Sequence, residues 1–326
     1  MSVHNTSAEI AAARQKFEDP DWTAKGEKRA VVGLDRLVTL WINTGTLCNI
    51  TCRNCYIESS PTNDRLEYMS AAEATAFLDE AKALGTREIG FTGGEPFLNP
   101  EFMAMLHAAL DRGFDVLVLT NAMLPMQRPH IKKALIGLKG VYGDRLTLRV
   151  SLDHFTETLH EIERGPATFS KTLDGLDWLT ANGFRASIAG RSCWNETEDA
   201  ARAGYAALIA AHGWAIDPAD QKRLMLLPEM EEGYDGPEIT TKCWDILKKS
   251  PSEMMCATSR MVVKRKGADA PVVLPCTLLP YDPSFEMGAT LESASRANGA
   301  MFDRGSVKLC HKHCAKFCVL GGGSCS

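Results

Sequence analysis

The chain has 326 residues, 45% of them hydrophobic, enough to bury one large domain or two smaller ones. A net charge of −5 and a pI near 5.9 argue against a general nucleic-acid binder, which presents a basic face. No run of about 18 apolar residues marks a membrane span, and the start MSVHNTSAEIAAARQKFEDPDW carries acids early and no apolar centre, unlike a signal peptide. Residues 1–36 read as an N-terminal extension. LVTLWIN (37–43) reads as a strand, and the loop CNITCRNCY follows it directly. SAAEATAFLDEAKALG reads as a helix, capped by Ser70 with Glu73 closing a capping box and Gly85 ending it. Then come strand REIGFT, a helix from Pro100 to Gly113, strand FDVLVLT and a helix over 128–138. Strand LTLRVSL, a helix over 168–182, strand FRASIAG, a helix over 196–211 and strand KRLMLLP complete the series. Six strand-then-helix units predict an α/β domain over 37–230 with a parallel sheet and crossover helices. Sites in such sheets collect at the carboxyl ends of the strands. Beyond residue 240 the rhythm stops, so 231–326 is expected to be a small irregular region.

Eleven cysteines without an export signal point to metal binding in a reducing, cytoplasmic location rather than to disulfides. Cys48, Cys52 and Cys55 are spaced C-x3-C-x2-C. Three thiolates on one loop can hold three irons of a [4Fe–4S] cubane, leaving the fourth iron open to activate a ligand. A structural zinc loop wants four ligands, and no fourth Cys or His follows nearby. The next strand ends in Thr92-Gly93-Gly94-Glu95-Pro96. In order and spacing, CNITCRNCY followed by TGGEP resembles the radical S-adenosylmethionine (SAM) superfamily. The resemblance implies a partial (β/α)6 TIM-like barrel, open on one side. Periodicity alone does not separate this from a doubly wound sheet. It further implies that SAM chelates the open iron and is cleaved reductively to a 5′-deoxyadenosyl radical, which takes a hydrogen atom from substrate.

The remaining SAM-site candidates lie at strand ends. Thr92, Gly93, Gly94 and Glu95 form the segment that contacts the methionine amino group in the family, and glycines there let backbone approach a ligand closely. Asn121 follows the third strand. Ser151 and Asp153 end the fourth and can bind ribose hydroxyls or a carboxylate. Arg191 ends the fifth, with a planar fork suited to a carboxylate. The position before the third cysteine is often aromatic in the family. Here it is Asn54, with Tyr56 just beyond Cys55, so adenine stacking is expected to come from elsewhere. His160 and Arg164, in the loop after the fourth strand, read as structural. Cys193, two residues past Arg191, reads either as a hydrogen donor to a substrate radical or as a buried small residue beside Trp194.

A second field of cysteines follows: Cys243, Cys256, Cys276, Cys310, Cys314, Cys318 and Cys325. Sequence so turn-rich and dense in thiols points to a metal core. It resembles the twitch and SPASM extensions of radical SAM enzymes, where a hairpin flanked by cysteines and a C-terminal cysteine cluster close an auxiliary [4Fe–4S] site. That implies one auxiliary cluster on Cys256, Cys276, Cys314 and Cys318, with Cys325 and then Cys310 as competitors. His311 and His313 with nearby cysteines form an alternative zinc set. Cys243 reads as a buried thiol.

The reading is a radical SAM oxidoreductase or synthase acting on a small molecule or short peptide. Its auxiliary cluster would bind substrate or accept an electron, and a flavodoxin or ferredoxin would supply reducing electrons. One alternative is a maturase of a ribosomally made peptide, forming thioether or carbon–carbon cross-links. Only about 36 residues precede the first strand, too few for the recognition domain such enzymes often carry. The other is a non-catalytic iron–sulfur carrier or scaffold, which TGGEP speaks against because a carrier needs no SAM site.

Overall fold

In the computed structural model, which describes residues 15–228 and 233–321, the elements follow the expected alternation. They are β1 (Val31–Val32), β2 (Thr39–Asn43), α1 (Ala71–Ala83), β3 (Glu88–Thr92), α2 (Phe102–Asp111), β4 (Asp115–Thr120), α3 (Leu124–Gln127) and α4 (Pro129–Tyr142). Next come β5 (Leu146–Ser151), α5 (Glu157–Arg164), α6 (Phe169–Ala181), β6 (Arg185–Arg191), α7 (Glu198–His212), β7 (Leu224–Leu227) and α8 (Cys243–Leu247). The chain closes with β8 (Ser259–Val263), β9 (Val272–Leu274), α9 (Leu291–Ala294), β10 (Phe302–Asp303), β11 (Ser306–Lys308) and a π-helical turn, Cys314–Leu320.

Local sequence explains the joints. Ser70 Oγ accepts the Glu73 amide at 3.2 Å, and the Glu73 carboxylate accepts the Ser70 amide at 2.8 Å, which starts α1 as expected. Gly85 and Gly113, both at positive φ, let the chain turn after α1 and α2 into the next strands.

The main sheet runs β7-β6-β5-β4-β3-β2-β8-β9. All neighbours from β7 to β8 are parallel, and β9 is antiparallel to β8. Registers such as Asn43 opposite Thr92 and Ser151 opposite Ala189 bring the carboxyl ends level. One cavity is lined from all seven parallel strands, so the sheet curls into a trough with β7 and β9 as its edges. Strand residues alternate between trough and helix layer. Trp41 and Asn43 face the trough, while Leu40 and Ile42 are buried with the core that includes Phe77, Phe102 and Met105. Each such side chain contributes roughly 1.5–3 kcal/mol on burial.

Two features depart from the expectation. The sixth unit has no long helix: between β7 and β8 the described residues form only the five-residue α8 and two short 3₁₀ turns. The cysteine-flanked hairpin around Gly267 is β8–β9, and β8 hydrogen-bonds to β2 as a seventh parallel strand. The beginning of the chain is laced to its end. β1 pairs with β11, and the guanidinium of Arg29, 1% exposed, donates to the carbonyls of Asp19, Trp22 and Leu309 and pairs with Glu238 at 2.7 Å. Among the described residues no helix is long and apolar enough to cross a membrane.

Candidate active site and a second thiol cavity

The trough encloses a cavity of about 170 Å3 at the carboxyl ends of the strands. Cys48, Cys52, Cys55 and Tyr56 reach it from the loop after β2, and Thr92, Gly93 and Gly94 from the end of β3. Asn121, Ser151, Asp153 and Arg191 reach it from β4, β5 and β6. Eleven candidates from separate parts of the sequence thus share one wall.

The glycines have a role beyond ligand approach. Gly94 N–H donates to the Gly45 carbonyl at 2.8 Å, and Glu95 N–H to the Leu47 carbonyl at 3.1 Å. A Cβ on Gly94 would fall 2.1 Å from Leu47 O, and one on Gly93 2.5 Å from Gly45 O. The double glycine therefore zips β3 onto the stem of the cysteine loop. Glu95 turns away from the cavity. Its buried carboxylate accepts hydrogen bonds from Thr120 Oγ1 and Asn121 N, both at 2.8 Å, and from Phe97 N at 3.3 Å. Burial lifts it to about 7 despite those bonds. Asn121 spans to Asn49 Oδ1 at 2.8 Å and contacts Cys48 Sγ at 3.9 Å.

Of His160 and Arg164 on α5, which read as structural, Arg164 reaches the cavity. Arg164 lines the cavity and donates to Asp153 Oδ1 at 2.9 Å, while Arg191 Nε lies 3.5 Å from Asp153 Oδ2. Burial opposes ionisation of Asp153, yet Arg164 and then Arg191 outweigh it and hold the carboxyl below its usual range. Glu163 grips the cysteine loop: its carbonyl accepts Arg53 N–H at 2.7 Å, and its carboxylate accepts Asn54 Nδ2 at 3.0 and 3.1 Å. Arg191 donates to the Asn54 carbonyl at 2.6 Å, and its guanidinium lies 4.8 Å from the Tyr56 ring centre. Tyr56 is thus held beneath Arg191, its hydroxyl on the Pro228 carbonyl at 2.5 Å. Cys193, half-buried in the loop after β6, is not among the cavity-lining residues. His160 is fully buried, with neither ring nitrogen hydrogen-bonded among the described residues.

Burial pushes the Cys48 thiol up to about 12, with Glu95 adding to the effect, and raises Cys52 against the pull of Arg164. Bare thiols here resist ionisation, so a metal must displace the proton. Among the described residues no three Cys, His, Asp or Glu side chains converge on one ion-sized point. A cubane takes one thiolate per iron and spreads its ligands over the cluster. Three thiols along one cavity wall suit that donor pattern.

A second cavity lies behind β8 and β9. Cys256, Cys276, Cys314 and Cys318 line it together with His313. Cys256 precedes β8, Cys276 follows β9, and Cys314 and Cys318 lie on the π-helical turn. Burial, then Cys318, pushes Cys256 up to about 12, and Cys314 is raised by burial, then by Cys276, Cys318 and Cys256. All four of the expected auxiliary ligands therefore feel one another. Cys310 sits elsewhere, its Sγ 3.2 Å from the Phe17 carbonyl. His311 packs against His313 with the rings tilted 51° and does not line the cavity, and Cys325 lies outside the described residues. Cys243 is half-buried and accepts the Thr240 amide at 3.3 Å, rather than being sealed in the core. Leu278 lines both cavities, and the Tyr56 ring, next to Cys55, meets the Phe317 ring, next to Cys318, in a T-shaped contact at 5.4 Å between centres.

Residues 42–197 match the model of the Radical SAM superfamily. The chain is 28% identical over 143 residues to the antilisterial bacteriocin subtilosin biosynthesis protein AlbA of Bacillus subtilis (strain 168), covering 44% of this chain and 30% of that one. It is 28% identical over 160 residues to an AdoMet-dependent heme synthase of Methanosarcina barkeri, covering 49% of this chain and 43% of that one. The alignments thus span less than half of either relative. In fold it is similar to Streptococcus suis SuiB bound to S-adenosylmethionine, with a TM-score of 0.59, 14% identity, and coverage of 82% of this chain and 67% of that one. It is also similar to native anSMEcpe with bound AdoMet, with a TM-score of 0.55, 16% identity and 80% coverage of each chain. The trough is therefore the partial barrel of these proteins.

Proposed function

We propose, on the match of residues 42–197 to the Radical SAM superfamily, that this enzyme removes a hydrogen atom from a small-molecule or peptide substrate held in its barrel. One observation carries the reading: three thiols, the double glycine and the Asp153–Arg164–Arg191 network share one wall. Cys48, Cys52 and Cys55 would hold a [4Fe–4S] cluster, which together with SAM would supply one-electron radical chemistry at this wall. The protein's part is placement. Asp153, kept ionised by two arginines, accepts hydrogen bonds from ribose hydroxyls. Arg191, with Nε toward Asp153 and one Nη on the Asn54 carbonyl, offers its other Nη to the SAM carboxylate. Gly93 and Gly94 bring backbone to the methionine end, and Tyr56 packs beside the loop. The enclosing barrel keeps bulk water from the reacting carbon. Cys256, Cys276, Cys314 and Cys318 would hold an auxiliary cluster that binds substrate or accepts the electron left after hydrogen removal. Cys193 would at most return a hydrogen atom from the mouth.

The peptide-maturase reading is favoured by the likeness to AlbA, whose name places it in bacteriocin biosynthesis. The test is anaerobic reconstitution with iron and sulfide, reduction with dithionite, addition of SAM, and chromatography for 5′-deoxyadenosine. We expect the product from the wild type and none from a Cys48/Cys52/Cys55→Ala variant, which retains about four irons of roughly eight. A fully loaded, reduced wild type that makes no deoxyadenosine, with and without candidate peptides, would sink the assignment.

A further inference from the structure

The strand that leads into the cysteine loop also carries two polar side chains that the fold leaves unused. Trp41 and Asn43 stand two residues apart on β2 and so share one face of the strand. Both line the barrel cavity, and both are buried, at 0% and 1% exposure. Neither Trp41 Nε1–H nor Asn43 Nδ2 has a hydrogen-bond partner among the described residues. Each side chain is nevertheless fixed in place. Trp41 lies opposite Gly90, where a Cβ would come within 2.4 Å of the indole, so the β3 wall is cut away to seat the ring. Asn43 Oδ1 accepts the Gly45 amide at 2.9 Å, which settles the oxygen end of the side chain and leaves the NH2 end over. Met261, opposite Trp41 on β8, lines the cavity with Leu119 and Met225 and adds no charge. The cations on the wall are already engaged. Arg164 and Arg191 hold Asp153, and Arg149 donates to Ser187 Oγ and to the Lys222 carbonyl, both at 3.4 Å.

Native proteins leave few buried donors unpaired, because each has given up the hydrogen bond it made to water. Two such donors on one strand, both lining a cavity, match an acceptor that arrives from outside. Both are uncharged, so the fitting acceptor is uncharged too: a carboxylate here would lose its water without gaining a cation of its own. We propose that Trp41 Nε1–H and Asn43 Nδ2 form a substrate subsite for an amide carbonyl. The proposal rests on the hydrogen-abstraction reading and adds a substrate class to it: a molecule with an uncharged amide, whether a peptide backbone, a carboxamide side chain or a lactam.

Indole 15N–1H NMR tests it on anaerobic, iron-reconstituted protein, first alone and then saturated with SAM. The Trp41 signal is the one missing from Trp41→Phe or, where that variant does not fold, the one that survives replacement of the other five tryptophans one at a time. N-methylacetamide is titrated against acetate. The amide is expected to move the Trp41 indole proton downfield, with a midpoint about ten-fold or more below that of acetate. Acetyl-Ala-methylamide, acetamide and 2-pyrrolidinone then separate backbone, side-chain and lactam sources by their midpoints. Asn43→Asp keeps an oxygen for the Gly45 amide but removes the Nδ2 donor, and should raise the amide midpoint about ten-fold with SAM affinity retained. An indole proton that no amide moves overturns the proposal, as does acetate binding as tightly as the amide, an amide shift that SAM abolishes, or a midpoint that Asn43→Asp leaves intact. The wild-type comparison decides the matter even where Asn43→Asp does not fold. The same preparation is then reduced and assayed for 5′-deoxyadenosine: an amide shift without that product sinks the radical SAM reading alone, and the product without an amide shift sinks the subsite alone.

Discussion

The barrel and the C-terminal cysteine region solve the same problem, presenting thiols to a cavity, by different means. In the barrel, backbone groups are paired by seven parallel strands, and apolar side chains such as Leu40, Ile42, Phe91 and Val118 fill the space behind them. Beyond β8 the C-terminal strands run to only three, two and three residues. Much of their backbone is satisfied by buried arginines instead. Arg260, 1% exposed, donates to the carbonyls of Cys256, Ser259 and Gly305, and Arg29 does the same across the chain ends. Regular pairing lets hydrophobic burial carry the load, whereas irregular backbone needs a donor fork for each cluster of orphaned carbonyls.

Four substitutions would break or sharpen this contrast. The seam between the regions should be the most sensitive point. Val262, fully buried on β8 opposite Ile42, becomes an unpaired buried charge in Val262→Asp. We expect a loss above about 4 kcal/mol, read as loss of soluble protein or of a cooperative urea transition. Arg260→Met fills similar volume but leaves three carbonyls without their donor. About 3 kcal/mol should be lost, with amide exchange rising in β8–β9 and at 302–308 while β4–β6 stay protected. Equal exchange everywhere would erase the distinction between the regions.

His160 gives a pH-dependent handle on the barrel side. Burial, then Arg164, pushes its imidazole down to about 4. The unfolded chain binds that proton below about 6.5, so stability is complete above that pH and falls as pH drops toward about 4. The slope is at most about 1.4 kcal/mol per pH unit. In His160→Leu the acid limb should flatten over that window, as measured by denaturant midpoints; an unchanged profile would assign the loss to other groups. The smallest effect concerns the contact between the two cavities. Tyr56→Phe removes the hydroxyl's bond to the Pro228 carbonyl but keeps the ring against Phe317. A loss of about 1 kcal/mol is expected, with both clusters still loaded by iron count.

The barrel was legible because its signals are local. β-branched runs, the Ser70–Glu73 box and glycines at helix ends each mark an element within a few residues, and the strand-end rule then gathers Cys48, Gly93, Asn121, Ser151 and Arg191 without further information. The pairing of β8 with β2 was not legible, because nothing in RMVVK states which distant strand it will join. Arg164 and Glu163 were missed since α5 follows the loop after β5, and its docking on the cysteine loop is tertiary. Trp41 and Arg149 did leave a trace. Each stands two residues before a rim residue, so the two-residue period of a strand puts them on the same face. Glu95 shows the converse: the motif marked it, yet its side chain closes the wall between β3 and β4.

The seam also orders events during synthesis. Thr39 lies opposite Ser259 and its amide donates to the Thr258 carbonyl at 3.2 Å, so one edge of β2 stays open until β8 has been synthesised. That edge carries Leu40, Trp41 and Ile42, an apolar strand of the kind that templates aggregation. The loop bearing Cys48, Cys52 and Cys55 springs from this same strand. These three thiols are therefore translated about 200 residues before the strand that completes the sheet beside them.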